Sequence, residues 1–201
     1  MNSKDFFAAV KDRRTFYAID KNIKVSEAKI REIVEYAIKH VPSSFNSQSS
    51  RAVILLKDQS DKFWQLTSDV LKGIVPPENF APTAEKMKGF GAGYGTILFF
   101  EDDVPIKKMQ EAFPTYASAF PGFSQHTAGM AQFIVWTALE AEGLGCSLQH
   151  YSPLVDEFVQ KEWNVPSTWK LIAQMPFGNP VAQPGEKTFQ PIEERVKVFK
   201  D

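Results

Sequence analysis

This chain of 201 residues has a single cysteine, three histidines, no apolar run approaching the length of a membrane span, and a formal net charge of -1. Each shortage removes a class of function. One cysteine, Cys146, forms no internal disulfide, supplies no zinc site built from several thiolates, and fits a reducing compartment. His40, His126 and His150 are scattered and no His-Glu helical motif occurs, so no metal is expected. The near-neutral charge leaves no electrostatic footprint for nucleic acid or an anionic membrane, and neither is expected as a partner. Met1-Asn2-Ser3-Lys4-Asp5 lacks the basic-then-apolar order of a secretory signal, so the expected location is the cytoplasm.

What is present is an ordinary folding composition, 43% hydrophobic and 23% charged, with an excess of phenylalanine at 17 residues. The length suits one domain over residues 1–201, or one protomer of a compact dimer. Ser3 is a candidate cap for a helix over residues 4–13, with Phe6, Phe7 and Val10 facing inward and Arg13 and Arg14 in its last turn. A second helix follows candidate cap Ser26, where Ile30, Ile33, Val34, Ala37 and Ile38 keep helical spacing until Pro42 ends it. Residues 52–56 and 96–100 are apolar runs expected to pair in a central sheet, with helices over 61–75 and 82–89.

The 105–123 stretch reads as helix and then irregular structure, a candidate lid containing Phe113, Phe120 and Phe123. Those aromatics either wall a pocket for a flat ring or pack a loop onto the body. Residues 125–142 are apolar nearly all round, which places a helix in a large core or a subunit interface. A strand over 146–150, a helix over 153–163 and a strand over 169–175 follow. The alternation Arg195-Val196-Lys197-Val198 predicts an extended C-terminal arm at about 189–201, ordered when tied down, for example by a partner subunit. The class is α+β, with helices outnumbering strands.

Two polar segments carry the chemistry. Arg13-Arg14-Thr15 offers two guanidinium forks and a hydroxyl for a phosphate, although basic residues at a helix C-terminus also simply stabilise the helix dipole. Pro42-Ser43-Ser44-Phe45-Asn46-Ser47-Gln48 offers hydroxyls and two carboxamides able to read the edge of a heterocycle, in a loop delivered by a neighbouring helix. Together they point to a nucleotide-like cofactor that lends its chemistry to the protein. Rival signals are weaker. Gly89-Phe90-Gly91-Ala92-Gly93-Tyr94-Gly95 precedes a strand instead of following one, and so reads as a flexible turn. Gly122-Phe123-Ser124-Gln125-His126 lacks the closing glycine of a nucleophile elbow, which makes Ser124 a helix cap. Asp102-Asp103 and Glu193-Glu194 are adjacent pairs that share no face, and solvated surface is their default.

With these residues the chain resembles flavin-dependent nitroreductases, most closely the short subgroup of fatty-acid-repression-type nitroreductase-like proteins. The resemblance runs from Arg13-Arg14-Thr15 and the 42–48 segment through Glu142-Gly143-Leu144-Gly145 and Ser147-Leu148-Gln149-His150-Tyr151 to Pro191-Ile192-Glu193-Glu194-Arg195-Val196. It implies a nitroreductase-like fold, a central mainly antiparallel sheet surrounded by helices, in a homodimer with two flavin sites at the subunit interface. It also implies FMN as cofactor, NADH or NADPH as co-substrate, and hydride transfer to nitroaromatic or quinone acceptors in a ping-pong cycle. By this resemblance Arg13, Arg14 and Thr15, with Lys187 or Arg195, hold the phosphate. Ser43, Ser44, Asn46 and Gln48 hold the ribityl chain and ring edge, some from the opposite subunit. Gln149, His150 and Tyr151 face the ring, and Phe113, Phe120 and Phe123 wall the acceptor pocket. Larger relatives carry an acidic residue and a glycine where this chain has His150 and Tyr151. Two other readings stay open: a flavin-binding regulatory protein with incidental turnover, and a flavin-free helical scaffold.

Overall fold

The computed structural model describes residues 4–200. Five strands, β1 (Ile19–Asp20), β2 (Ser50–Leu56), β3 (Gly95–Asp102), β4 (Gly145–Cys146) and β5 (Trp169–Pro180), form an antiparallel sheet. Its order is β1-β5-β3-β2, and β4 also pairs with β5. The two apolar runs are neighbours as expected, with Ser50 opposite Glu101 and Leu56 opposite Gly95. All eight residues of β3 are buried, because helices cover both faces of the sheet.

On one face lie α2 (Glu27–His40) and α6 (Phe120–Ala141), which pack Ile30, Ala37, Val135 and Leu139 against Ile97, Phe99, Met175 and Phe177. On the other lie α3 (Asp58–Lys72), α4 (Phe80–Gly91) and α7 (Asp156–Glu162), where Phe63, Trp64, Phe90 and Val159 meet Leu98, Phe100 and Leu171. Ala173 and Leu171 would share a face in a regular strand. The register shift opposite Phe99 and Phe100 inserts Ile172 as a bulge and sends the two side chains to opposite cores. Each fully buried large side chain contributes about 1.5–3 kcal/mol, and Trp64, Phe63, Phe100 and Phe177 are of this kind. Remaining among the described helices are α1 (Phe6–Asp12) and α5 (Asp103–Ala112).

Several sequence expectations shift here. Ser3 lies outside the described residues, and α1 is capped by Asp5, whose carboxylate accepts from the Ala8 N–H at 3.2 Å. Helix α1 buries Ala9 against α6, while Phe6 and Phe7 are 62% and 77% exposed and do not face inward. Helix α6 starts at Phe120 instead of near residue 125, since Pro121 fits a helical first turn, where its missing N–H costs nothing. Ser124 is therefore inside the helix and donates to the Pro121 carbonyl at 2.9 Å, so it is not a cap. The glycine stretch is not a free turn. It closes α4 and enters β3, and a Cβ on Gly95 would come within 2.7 Å of the Leu55 carbonyl oxygen, so only glycine fits between the strands. The 146–150 segment is a strand only at Gly145–Cys146, continued by a bridge between Gln149 and Gln174.

Strand β5 runs past Met175 through Pro176 and Gly178 to Pro180. The C-terminal segment is exposed and joins no strand among the described residues. A 3₁₀ turn at Ile192–Glu194 precedes the 195–198 alternation. Asp102 is not solvated surface. Only 8% exposed, it caps α5 and pairs with Arg51 at 3.0 Å. Glu193 and Glu194 are exposed as read.

Candidate functional site

The expected site residues fall into two groups at opposite ends of α6. At the C-terminal end, α1 delivers Arg13 onto Trp136, with the guanidinium carbon 4.4 Å from the indole centroid. Arg13 is half-buried, and its Nε is enclosed with no hydrogen-bond partner. Burial, and then the neighbouring Arg14 charge, lower its pKa from the ordinary arginine value. A buried guanidinium short of an acceptor is a place that fits an anion.

Arg14 differs. It donates to the Gly185 carbonyl at 2.7 Å and lines, with Lys11, Lys187 and Gly185, a cleft of about 930 Å³ under the C-terminal segment. Of the two C-terminal cations, Lys187 lines this cleft, while Arg195 sits beyond it in the exposed turn that follows Ile192. Thr15 bridges to Cys146, and the Phe16 N–H donates to the Cys146 carbonyl at 2.9 Å.

That bridge joins the arginines to the 149–151 segment. Gln149 and Gln174 exchange backbone hydrogen bonds at 2.7 and 2.9 Å, and the Gln174 side-chain oxygen accepts from the Tyr151 N–H at 2.8 Å. Gln149 is buried and donates to the Ser147 hydroxyl, while His150 is exposed. Tyr151 packs edge-on to Trp64 at 5.8 Å, and burial, with a smaller effect of Tyr17, pushes its phenol up to about 12.

At the N-terminal end of α6 stands the second group. Ser43 organises its loop: its hydroxyl accepts from the Gln48 N–H and its carbonyl from the Asn46 N–H, each at 3.0 Å. Phe45, Asn46 and Gln48 all have positive φ, 52°, 52° and 49°, a concentration of left-handed backbone that non-glycine residues rarely adopt. This turn exposes the Asn46 and Gln48 side chains and aims Phe45 at Phe113, with ring centroids 4.3 Å apart, and at Phe120, 5.7 Å apart. Phe113 and Tyr116 are 36% and 53% exposed, while Phe120 is buried and stacks edge-on to Phe123 at 5.8 Å. Sequence reasoning missed Phe45 as part of this cluster. The available signal was an aromatic set inside a run of short polar residues.

The two groups do not meet within one protomer. Trp136 and Phe120 are about 24 Å apart along α6 at the helical rise, and no hydrogen bond or ring contact links the 13–15 and 42–48 segments among the described residues. Helices α1 and α2 both pack against α6, and α2 sets Ile30 and Ala37 in one core with Val135 and Leu139. Among the described residues no group of three or more His, Cys, Asp or Glu side chains is placed to hold a metal, and no helix is long and apolar enough to cross a membrane.

A helix-sheathed antiparallel sheet, with a basic cluster at one end of α6 and an aromatic, carboxamide-bearing loop at the other, defines the class as α+β. The chain belongs to the nitroreductase family, whose model matches residues 10–179. It is 39% identical to the yeast protein HBN1 over 189 residues, 93% of each chain. It is 36% identical to the nitroreductase FRM2 (fatty acid repression mutant) of the same yeast, Saccharomyces cerevisiae, covering 92% of this chain and 93% of that one. Its fold superposes on the nitroreductase CinD of Lactococcus lactis in complex with chloramphenicol with a TM-score of 0.89, at 44% identity over 98% of this chain and 100% of that one. CinD is also known with 4-nitrophenol. More distant structures of this fold, at 16% and 18% identity, hold FMN.

Proposed function

We propose that this protein is an FMN-dependent oxidoreductase that moves hydride from NADH or NADPH to nitroaromatic or quinone acceptors in a ping-pong cycle. The observation that carries the reading is the pair of half-sites at the two ends of α6 in a member of the nitroreductase family. In a homodimer, the arginine end of one protomer and the 42–48 loop of its partner together complete a site that neither chain holds alone. The apolar residues left bare on the surface, Phe6, Phe7, Met130, Phe133 and Phe199, are what such a partner would cover.

When bound, FMN supplies the hydride carrier that no side chain provides. Arg13, Arg14 and Thr15 hold its phosphate, with Lys187 the better placed of the C-terminal cations because it shares the cleft of Arg14. Ser43, Ser44, Asn46 and Gln48 hold the ribityl chain and ring edge, and Asn46 and Gln48 provide neutral donors where negative charge develops on reduction. In the 149–151 segment Gln174 accepts from the Gln149 and Tyr151 N–H groups and donates to the Gln149 carbonyl, so the backbone of His150 between them is the part that would face the ring. Phe113 and Phe45, with Phe123 beside them and the buried Phe120 as their support, would form an apolar wall for the acceptor, and such a wall discriminates weakly between similar planar molecules. That CinD binds 4-nitrophenol supports this acceptor class. The chain works as a single domain in the cytoplasm.

The test is an absorbance spectrum of the purified protein, followed by anaerobic addition of NADH or NADPH and then a quinone or nitroaromatic. A flavin band that bleaches with nicotinamide and returns with acceptor is the expected outcome. No band after addition of FMN sinks the reading.

A further inference from the structure

Glu101 is a buried carboxylate to which the reading above gives no task. It lies on β3 and is 2% exposed, and it accepts from the Ser49 and Ser50 hydroxyls at 2.5 Å each, one on each oxygen. Those serines are themselves buried, and they directly follow Gln48, the last residue of the left-handed turn. The neighbouring residue grips the same backbone: the Asp102 N–H donates to the Ser49 carbonyl at 2.9 Å. Asp102 also takes Arg51 at 3.0 Å, and Arg51 donates to the Gln48 carbonyl at 2.7 Å. The exit of the loop is thus tied at the Gln48 and Ser49 carbonyls and at the Ser49 and Ser50 hydroxyls.

The interior of the turn has far less. Its own hydrogen bonds return to Ser43 and Ser44, and the backbone at Phe45, Asn46 and Gln48 is held in a sparsely populated region. Such a conformation persists only where its surroundings over-determine it. A carboxylate in this position is also costly by itself, since burial raises its pKa above the ordinary glutamate value against the pull of the two hydroxyls and Arg51. The protein retains a desolvated carboxyl group at the foot of a strained loop.

We propose that Glu101 is a positioning residue for the cofactor loop, holding Ser49 and Ser50 so that Asn46 and Gln48 stay presented to the ligand. The proposal rests on the flavin reading for its consequence and on the geometry of the chain for its mechanism. An ordinary core role predicts that stability and ligand affinity fall together. A positioning role predicts that the affinity loss tracks opening of the 46–51 segment over and above any global loss, since two buried hydroxyls that lose their acceptor also cost stability.

The experiment compares full-length wild type, Glu101→Leu and Glu101→Gln by FMN titration, thermal unfolding and hydrogen exchange at residues 46–51 in the flavin-free protein. Leu leaves both serine hydroxyls without an acceptor, whereas Gln keeps one acceptor and offers the second serine a donor. Glu101→Leu should weaken FMN binding about tenfold and speed exchange in the loop by a similar factor beyond any change in the sheet core, with a Tm lowered by about 5 °C or more as Ser49 and Ser50 lose their acceptor. Glu101→Gln should restore both readouts to within about twofold. Wild-type affinity and exchange in Glu101→Leu overturn the proposal, as does exchange that speeds equally in the loop and in the sheet core, or a parallel loss of Tm and affinity in both variants. Should Glu101→Leu not fold, the double variant Ser49→Ala with Ser50→Ala decides: faster loop exchange supports the tether and unchanged exchange overturns it. If wild type binds no FMN, the flavin reading fails, while the exchange data still decide the tether.

Discussion

The two ends of α6 are made of opposite materials. The C-terminal end is basic and regular: Arg13 stacks on Trp136, Thr15 bridges to Cys146, and the 149–151 segment is pinned to β5 by backbone hydrogen bonds. The N-terminal end is aromatic and strained, a turn with three left-handed residues whose Phe45 leans on Phe113 and Phe120. One end is suited to hold an anion by charge, the other to present amides and a flat wall by shape. A stiff helix keeps them about 24 Å apart, so within one protomer the charge of one end and the shape of the other act separately, and on the proposed flavin reading a second copy would have to bring them together.

The sharpest way to break that comparison is complementation. A chain with Arg13→Ala and Arg14→Ala and a chain with Asn46→Ala and Gln48→Ala should each bind no FMN at micromolar concentration. Co-refolded in equal amounts, they should recover about a quarter of the sites, because half of the random dimers are mixed and each mixed dimer has one intact site of two. Flavin absorbance per protomer measures this, and zero recovery would place both segments in one subunit's site.

The arginines can then be ranked singly. Arg13→Ala should weaken FMN about 100-fold, as loss of a charge-assisted bond in a half-buried setting. Arg14→Ala should cost about tenfold, since part of its fork already serves the Gly185 carbonyl. Turnover at saturating FMN should change less than affinity in both, and equal flavin affinity in wild type and both variants removes the phosphate assignment.

At the aromatic end, Phe113→Ala should raise the acceptor KM about fivefold, the worth of one ring pair, with flavin affinity unchanged. Steady-state kinetics with a quinone separates the two. The smallest expected effect is on pH. The Tyr151 phenol titrates at about 12 when folded against an ordinary 10.0, so the native state holds this proton more tightly. Its stabilising contribution is complete below pH 10 and is lost as pH rises towards 12. Chemical denaturation between those values should show a slope that Tyr151→Phe flattens.

The α2 period, the β2 and β3 pair and both polar segments were legible because each is a local pattern: helical spacing after Ser26, short apolar runs bounded by charge, clustered donors. Other features depend on long-range contacts that no window reveals. Pro121 reads as a breaker until it is seen in the first turn of α6, and Pro176 and Pro180 read as the end of β5 although the strand runs through them. Asp102 read as solvated surface, and Glu101 lies just past the 96–100 apolar run. Their burial follows from β2 supplying Arg51, Ser49 and Ser50 opposite them, about fifty positions away in the chain. The resemblance implied contacts from the opposite subunit, but that the 42–48 turn and Arg13 stand at opposite ends of α6 depends on the packing of distant segments that no local pattern reveals.

Strand β5 has a consequence for how the protein comes into being. It is the last strand of the chain and the one to which β1, β3 and β4 all pair, with Ile19 opposite Pro180 across almost the whole sequence. On a ribosome, β2 and β3 can zip together early, but β1 and β4 wait for a strand not yet synthesised. Because that strand is buried on both faces, the nascent protein carries two half-covered sheet faces until the final stretch emerges. A stalled or truncated chain ending before Trp169 is therefore a sticky hairpin instead of a smaller native protein, and such fragments should be recovered with chaperones or in aggregates.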